Sequence, residues 1–433
     1  MIKLAMPIYV ELLTAVVAVG LIDLLWVSGL GADAVAAVTV ATTAEYLAYG
    51  LFLAVPTGVT VLVGRRDGRE PLSPVIRTGW WLWAACSLAI TVPGVLLREP
   101  LAALFTDDAG LTASYFLISL GGLPVYFAQT VVDGVLKGMG DTRRPMRHAL
   151  ICNALVIVLD PLLIYGLGLG VQGAALATVL ARAATLAVSL RTLARRTPRE
   201  AAPAPRAGRA LLGRRQAVLD SLAGDVLRTG LPMSGDFLAR ALVGMVLVDI
   251  VAGFGTAELA GYGIGQKVML AGVMVFYAFR QAAMIRTSRT EPTGSPLRLG
   301  LLAGAAVAVV LNAVAVPVTG LFADDPSAAV SFLRWMTLYL IPFGALIAVG
   351  GVLQASGRGS RLLAATLAGF AVQLPLAYLL SAWLGITGVW LSMAAGAALS
   401  LAGALVPRGS GPWSARGRAP RPTRTAAGPR SGR

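Results

Sequence analysis

The sequence predicts an all-α polytopic membrane protein whose twelve transmembrane helices form two six-helix lobes. Three observations predict this fold: the composition, the number of apolar stretches and an internal repeat. Of the 433 residues, 57% are hydrophobic and 13% are charged, and the mean hydropathy is +0.76. Soluble globular proteins carry about 25% charged residues. The composition therefore places this chain in a lipid bilayer.

The repeat divides the chain into two halves. Residues 134–144 read GVLKGMGDTRR, and residues 351–361 read GVLQASGRGSR. The segment LFTDD at 104–108 returns at the same offset as LFADD at 321–325. Many secondary transporters consist of duplicated membrane halves with a site between them. The repeat therefore predicts two similar lobes.

Twelve apolar stretches are long enough to cross the membrane. A spanning helix needs about 20 apolar residues. The predicted spans cover about residues 4–27, 34–63, 76–97, 111–136, 145–166, 171–193, 228–252, 257–280, 297–319, 328–353, 361–382 and 386–406. Because each half has six spans, both halves enter the membrane in the same orientation.

The loops between the spans alternate in charge. One set carries Arg65, Arg66, Arg69, Lys137, Arg143, Arg144, Arg147, the run from Arg191 to Arg228, Arg286, Arg289, Arg298, Arg358 and Arg361. The other carries Asp33, Glu99, Asp107, Asp108, Glu258, Asp324 and Asp325, with Arg98 as its one base. Basic loops lie in the cytoplasm by the positive-inside rule. We therefore expect both termini to be cytoplasmic.

Four regions follow from these patterns. Residues 1–194 form the first lobe and residues 228–406 the second. Residues 195–227, rich in Arg, Pro and Ala, are predicted to be a cytoplasmic linker. The tail 407–433 is basic and has no acid, so we expect it to be disordered.

Several classes of protein are excluded by the same composition. The net charge of +15 would suggest nucleic acid in a soluble domain, but here the arginines lie in loops and the tail. They favour membrane orientation and contact with anionic lipid instead. One histidine and two cysteines cannot form an all-protein His/Cys metal site. We expect no metal, no cofactor and no nucleic-acid partner.

Acids inside the spans are the candidate functional groups. A charge at mid-bilayer costs about 2.5–3.5 kcal/mol on insertion scales, so each needs a reason. Asp23 lies in span 1, and Asp160 lies in span 5 before Pro161, which removes a backbone hydrogen bond. Asn153 lies on nearly the same helix face as Asp160, and Thr178 in span 6 adds a hydroxyl. These groups suit a proton or Na⁺ site, unless each acid pairs with a backbone group or an arginine.

Other polar residues in the spans are weaker candidates. Glu45 in span 2 and Asp133 at the end of span 4 are possible cavity residues, although Asp133 is close enough to the cytoplasmic boundary to be solvated instead. Asp236 and Arg240 are spaced i,i+4 on span 7, which predicts a structural ion pair. No Walker loop, zinc-protease motif or nucleophile–base pattern occurs. The sequence therefore does not predict an enzyme.

Several segments resemble the multidrug and toxic compound extrusion (MATE) family, most closely its DinF-like branch. They are residues 4–7 (LAMP), 22–23 (ID), 27–31 (VSGLG), 138–146 (GMGDTRRPM), 159–166 (LDPLLIYG) and 173–178 (GAALAT). The resemblance covers nearly the whole chain and is weaker in the second half. It implies two lobes around a V-shaped central cavity, in the bacterial inner (plasma) membrane. It also implies cation-coupled export of amphipathic, often cationic compounds.

The resemblance assigns roles to particular residues. Asp23 and Asp160 match the coupling acids of spans 1 and 5, and Thr178 matches the span 6 threonine. Pro7 matches the proline at which span 1 is proposed to bend, and Pro161 is a second expected hinge. Val156 stands where the family usually has an asparagine, which favours protons over Na⁺. Arg240 stands where the NorM-type branch has a glutamate, so the cation site of that branch is absent.

These arguments predict a secondary active transporter that exchanges protons for amphipathic, cationic compounds by alternating access. Its partners would be the small-molecule substrate and the lipid bilayer. One alternative is a lipid-linked oligosaccharide flippase of the same superfamily. Another is a transport-impaired homologue, because the second half is about eight residues shorter between spans 7 and 10.

Overall fold

The computed structural model describes residues 1–105, 109–197, 209–323 and 325–406, without the side chains of residues 209–219. Within these ranges the fold is all-α. The predicted tail at 407–433 lies outside the described residues.

The first half contains ten α-helices in its described part. They are α1 (Ile2–Leu12), α2 (Val19–Ser28), α3 (Ala32–Phe52), α4 (Ala54–Arg66), α5 (Ser73–Leu96), α6 (Arg98–Ala103), α7 (Ala109–Gly121), α8 (Leu123–Gly138), α9 (Arg143–Pro161) and α10 (Gly170–Arg196). A π-helical stretch, Leu13–Ala18, joins α1 to α2, and another, Leu162–Gly166, continues α9. Each predicted span is thus one helix or two consecutive helices, and α6 is a short extra helix between spans 3 and 4.

The second half is more regular. Its helices are α11 (Arg209–Ala252), α12 (Thr256–Ser288), α13 (Pro296–Thr319), α14 (Ser327–Ala355), α15 (Gly359–Leu384) and α16 (Ile386–Leu405). Across both halves, eleven helical segments of the described residues are long and apolar enough to cross a membrane. They correspond to eleven of the twelve predicted spans. The remaining one, predicted at 228–252, lies within α11.

The predicted linker at 195–227 contains more helix than its composition suggests. Helix α10 continues to Arg196, and residues 198–208 lie outside the described residues. Helix α11 begins at Arg209 and runs without interruption through Pro232. The second part of the predicted linker is therefore helical and continuous with span 7.

Glycines at equivalent positions of the repeat adopt the same backbone conformation. Gly31 precedes α3 with φ 104° and ψ 176°, and Gly255 precedes α12 with φ 111° and ψ 168°. Gly140 and Gly357, in the two copies of the GVL motif, have φ 81° and 76°. Such positive φ values favour glycine because it has no Cβ. The sequence repeat is thus also a repeat of loop geometry.

Each half buries its own apolar core. In the first half, the rings of Phe52 and Phe127 stack with centroids 4.2 Å apart. In the second half, Tyr262 stacks on Trp390 at 5.5 Å and lies edge-on to Phe332. The presence of a separate apolar core in each half agrees with the two predicted lobes.

The two lobes meet through small residues. A Cβ on Gly230 of α11 would lie 1.8 Å from the carbonyl oxygen of Ala54, so α11 and α4 touch backbone to backbone there. Near the N-terminus, Ala5 and Ile8 of α1 pack against the apolar face of α12. Close approach of this kind needs glycine or alanine at the contact.

Polar contacts between the lobes lie at the ends that carry basic loops. Arg289 Nη1 lies 2.5 Å from Asp67 Oδ2, and Arg69 Nη2 donates to Thr290 Oγ1 at 2.6 Å. Arg65 Nη2 donates to the carbonyl oxygen of Ala355 at 2.7 Å. The lobes are therefore joined at the side that the charge pattern assigns to the cytoplasm.

Candidate functional site

Asp23 and Asp160 are brought together inside the first lobe. Asp23, on α2, is 7% exposed, and Asp160, near the end of α9, is fully buried. Helices α2 and α9 pack against each other, and their two acids are close enough for each carboxyl group to act on the other. Two ionised carboxylates have no hydrogen to share, so this contact becomes a hydrogen bond only when one acid carries a proton.

These acids lack the partners that buried carboxylates normally have. Both carboxyl oxygens of Asp160 and Oδ1 of Asp23 have no hydrogen-bond donor among the described residues. The alternative in which Asp160 pairs with a backbone group or an arginine is therefore not the observed arrangement. Burying a charge without a partner is costly. The geometry suits a site that binds and releases a proton.

Thr178 and Asn153 lie on helices next to this pair but have different surroundings. Helix α10 packs against α2 and α9, and it buries Thr178, whose hydroxyl has no partner within the described part of the chain. Asn153 Nδ2 donates to the carbonyl oxygen of Thr14 at 3.0 Å. Thr14 belongs to the π-helical stretch of span 1. Asn153 therefore fixes span 1 against span 5.

The two predicted hinges differ in local structure. Helix α1 remains α-helical through Pro7, and the π-helical stretch of span 1 begins six residues later, at Leu13. In span 5 the α-helix ends at Pro161, and the π-helical stretch follows directly. A π-helical turn often occurs at functional sites, and here one lies in each of the two spans that carry the paired acids.

Glu45 is engaged in an ion pair that sequence reasoning did not identify. Arg182 Nη1 of α10 lies 3.1 Å from Glu45 Oε2, and the guanidinium lies 4.5 Å from the centroid of the Tyr126 ring. Arg182 is on α10, which packs against α2, the helix that carries Asp23. Glu45 is therefore a paired acid beside the Asp23–Asp160 site.

Asp133 lies within the lobe rather than in solvent. Its side chain is 14% exposed, and it accepts from Gln129 Nε2 at 3.0 Å. His148 Nδ1 lies 3.3 Å from its other oxygen. The interpretation of Asp133 as a possible cavity residue fits this position better than the solvated alternative.

A further polar group connects the two lobes. Lys137 Nζ donates to Glu11 Oε1 at 2.6 Å and to Gln281 Oε1 of α12 at 3.1 Å. Glu11 is an acid inside a predicted span, so the rule that identified Asp23 applies to it equally. The partner of Glu11, Lys137, could not be read from the sequence, because the two residues are 126 positions apart.

A central cavity of about 200 Å³ lies between the lobes. The charged, amide and imidazole side chains of its lining are Glu11, Gln129, Asp133, Lys137, His148, Asn153 and Arg182 from the first half and Arg280 and Gln281 from the second. Leu12, Val16, Tyr49, Leu53, Tyr126, Met233 and Met284 supply much of the remaining surface. Asp23 and Asp160 are not part of this lining. Of this lining, Asn153 is on α9 with Asp160, and Arg182 is on α10, which packs against both α2 and α9.

In the second lobe, the predicted pair of Asp236 and Arg240 is confirmed, at 3.0 Å. Arg280 of α12 joins it, with Nη1 also 3.0 Å from Asp236. This lobe therefore offers no counterpart of the unpartnered Asp160 in its described residues. No group of three or more His, Cys, Asp or Glu side chains in the described ranges is arranged to hold a metal ion.

Comparison with known proteins gives consistent results. The family model MatE matches residues 7–162 and 232–379. An FAD transporter of Shewanella oneidensis is 24% identical over 91% of this chain and 90% of its own length. A probable multidrug resistance protein of Bacillus subtilis, YoeA, is 24% identical over 86% of this chain and 85% of its own. The solved structure of a MOP superfamily transporter from Pyrococcus furiosus shares the fold, with a TM-score of 0.79, 22% identity, and coverage of 93% of this chain and 92% of that one.

Proposed function

We propose that this chain, which belongs to the MATE family of membrane transporters, exports amphipathic, cationic compounds in exchange for protons. The observation that carries this proposal is the buried pair of Asp23 and Asp160. Since three of the four carboxyl oxygens of the pair have no hydrogen-bond donor among the described residues, the proton is the partner that its geometry suits.

Proton binding at this pair acts on the cavity through the residues between them. Arg182 and Asn153 both line the cavity; Arg182 is on α10, which packs against α2 and α9, and Asn153 holds the π-helical stretch of span 1. A proton gained by the pair removes a negative charge from the helices that α10 packs against. That change weakens the hold on a cation in the cavity and alters the packing of span 1 against span 5.

The central cavity has the composition of an amphipathic binding site. Tyr49, Tyr126 and Met284 contribute apolar and aromatic surface. Glu11 and Asp133 contribute acids, and the bases of the lining, Lys137, Arg182 and Arg280, are each paired with an acid. Ligand pockets are typically apolar with a few placed polar groups. An aromatic compound with a cationic centre fits this lining.

Alternating access follows from the way the lobes are joined. Contacts such as Arg289–Asp67 and Gly230–Ala54 hold the lobes together at the predicted cytoplasmic side. We propose that protonation from outside releases substrate outward, and that these contacts then separate to admit the next substrate from the cytoplasm. One pH unit supplies about 1.4 kcal/mol per proton, enough to sustain about a tenfold gradient in a one-to-one exchange.

A lipid-linked oligosaccharide flippase remains the second candidate, because Arg182 and Arg280 line the cavity. Cavity arginines suit the phosphates of such a lipid. Arg182 is paired with Glu45 at 3.1 Å and Arg280 with Asp236 at 3.0 Å, while Nη2 of Arg280 has no acceptor among the described residues. Because an arginine can bind the oxyanion of either kind of substrate, it is the unpartnered acids of the first lobe that favour the proton-coupled exporter.

The test is efflux of ethidium from cells that express the wild-type protein or Asp23→Asn, with and without a protonophore. We expect protonophore-sensitive efflux from the wild type and a loss of at least about tenfold in Asp23→Asn. Asp33→Asn is the matched control, because it makes the same change at an exposed position at the start of α3. Protonophore-resistant efflux, or efflux that survives both Asp23→Asn and Asp160→Asn, would contradict the proposal.

A further inference from the structure

Two arginines of the second lobe share one acid. Arg240 and Arg280 each lie 3.0 Å from a carboxyl oxygen of Asp236. No other acid contacts either arginine within the described ranges. The side chains of Asp236 and Arg280 are each 2% exposed. One net positive charge is therefore enclosed in an apolar lobe.

This charge lacks part of the compensation that a buried guanidinium normally has. Nη1 of Arg280 donates to Asp236, but Nη2 is buried and has no acceptor in the part of the chain that the structure describes. A buried charge without full pairing is expensive. Charged residues kept within membrane spans usually serve a pathway or a ligand.

The two arginines face different spaces. Arg280 lines the central cavity between the lobes. Arg240 lines a separate cavity of about 220 Å³ inside the second lobe, and its guanidinium lies 5.1 Å and 5.7 Å from the ring centroids of Phe343 and Phe370. Those rings stabilise the charge of Arg240. The donor that remains free is thus on the arginine at the central cavity.

An unpartnered guanidinium N–H on a residue that lines a cavity can bind an oxyanion. Arginine pairs with carboxylate or phosphate through short, charge-assisted hydrogen bonds. Glu11, which lines the same cavity from the first lobe, is bound to Lys137 through Oε1, and its Oε2 is buried with no donor among the residues described. The lining therefore contains an acid of the first lobe and an arginine of the second that each have one unpartnered atom.

We propose that Arg280 binds an oxyanion group of the substrate, so that amphipathic zwitterions bind more tightly than the simple cations that are also transported. The cationic centre of a zwitterion lies toward Glu11 and Asp133, and its carboxylate or phosphate lies at Arg280. This inference rests on the proposed function in one respect, namely that the central cavity is the substrate site.

The test compares two dyes that differ only in the oxyanion. Rhodamine B carries a cationic xanthene and a free carboxylate, and its ethyl ester keeps the cation alone. Binding to the full-length protein in phosphatidylcholine nanodiscs is measured by fluorescence anisotropy, with empty nanodiscs as the blank. We expect the wild type to bind the acid about tenfold more tightly than the ester, since a hydrogen bond to a charged group contributes about that much. Arg280→Gln should remove this preference and leave binding of the ester within about twofold.

Two further variants, Arg280→Lys and Arg240→Gln, serve as controls for Arg280→Gln. Arg280→Gln leaves Asp236 paired with Arg240, so no acid is orphaned, and Arg280→Lys should keep part of the preference. Arg240→Gln removes a positive charge from the other cavity and should keep most of the preference for the acid over the ester. Equal affinity of the wild type for both dyes would overturn the proposal. So would an equal loss of preference in Arg280→Gln and Arg240→Gln.

Another oxyanion source is the phosphate of an anionic lipid. If phosphatidylglycerol in the nanodiscs displaces rhodamine B from the wild type but not from Arg280→Gln, the occupant is a lipid headgroup and the assignment to substrate is wrong. We expect no such displacement. The binding assay uses no proton gradient, so a negative result in it does not contradict proton-coupled export. Conversely, a failure to find proton-coupled efflux does not contradict a preference for the acid dye in the binding assay.

Discussion

Asp160 and Asp236 are both buried aspartates inside membrane spans, but their surroundings are opposite. Asp236 accepts from two guanidinium groups. Asp160 has no donor within the described residues and is close to a second acid. The first arrangement stabilises an ionised carboxylate and links α11 to α12. The arrangement at Asp160 buries a carboxylate without a donor, which is costly unless one of the two acids carries a proton.

This contrast predicts opposite effects of the same substitution. Asp160→Asn should leave the melting temperature unchanged or raise it, because it removes an unpaired carboxyl, while abolishing efflux. Asp236→Asn should destabilise the protein by about 3–5 kcal/mol, because it leaves two buried guanidiniums without their acid. Thermal unfolding of the purified proteins, followed by size-exclusion chromatography with fluorescence detection, measures both.

A melting temperature of Asp160→Asn well below that of the wild type would mean that Asp160 has a structural partner. That result would remove the argument for a proton site. Efflux activity of each variant, normalised to the amount of inserted protein, separates lost function from lost folding.

The sequence was sufficient to identify Asp23 and Asp160, since an acid in an apolar span stands out without any knowledge of the fold. The sequence was not sufficient to predict which groups surround the buried acids in the folded protein. Glu11 pairs with Lys137, which is 126 residues away in the sequence, and Glu45 pairs with Arg182, which is 137 residues away. Such pairs form only when distant spans pack together, so composition and periodicity do not reveal them.

At the level of helices, the predicted spans agree closely with the observed ones because apolar length determines both. The exceptions arise where length is not decisive. The π-helical stretches Leu13–Ala18 and Leu162–Gly166 depend on local hydrogen bonding and packing. Helix α11 extends well before its apolar part because polar residues can also continue a helix.

The contact between α4 and α11 gives a prediction at this scale. Gly230→Ala places a methyl group where Ala54 backbone already lies, so the lobes should be forced apart at the predicted cytoplasmic side. Native Cys152 lines the central cavity and serves as the reporter, with Cys86→Ser to remove the other thiol. Labelling of Cys152 by an impermeant maleimide from the cytoplasmic side should rise by about tenfold.

Gly224→Ala is the control for that experiment. It adds the same methyl group to the same helix, where nothing lies within 4 Å of the new atom. Labelling that changes equally in both variants, or in neither, would show that the α4–α11 contact does not close the cavity.

On the scale of the whole molecule, the duplicated halves have diverged in charge. The first lobe places unpartnered acids near the central cavity, and the second places an arginine there whose acid is shared. The repeat in sequence predicted two lobes, and the positive-φ glycines reproduce it in structure. The division of roles was not predictable from the repeat, because it depends on which side chains meet in the folded cavity.

The central claim, that Asp23 and Asp160 couple transport to protons, is tested most directly in liposomes that contain only the purified protein. The interior is set one pH unit more acidic than the exterior, and the membrane potential is held at zero with valinomycin and equal potassium. In the wild type, ethidium should accumulate inside to about tenfold, the limit for one-to-one exchange, whereas Asp23→Asn and Asp160→Asn should only equilibrate it. Equilibration without accumulation by the wild type, or accumulation that survives both substitutions, would contradict the claim.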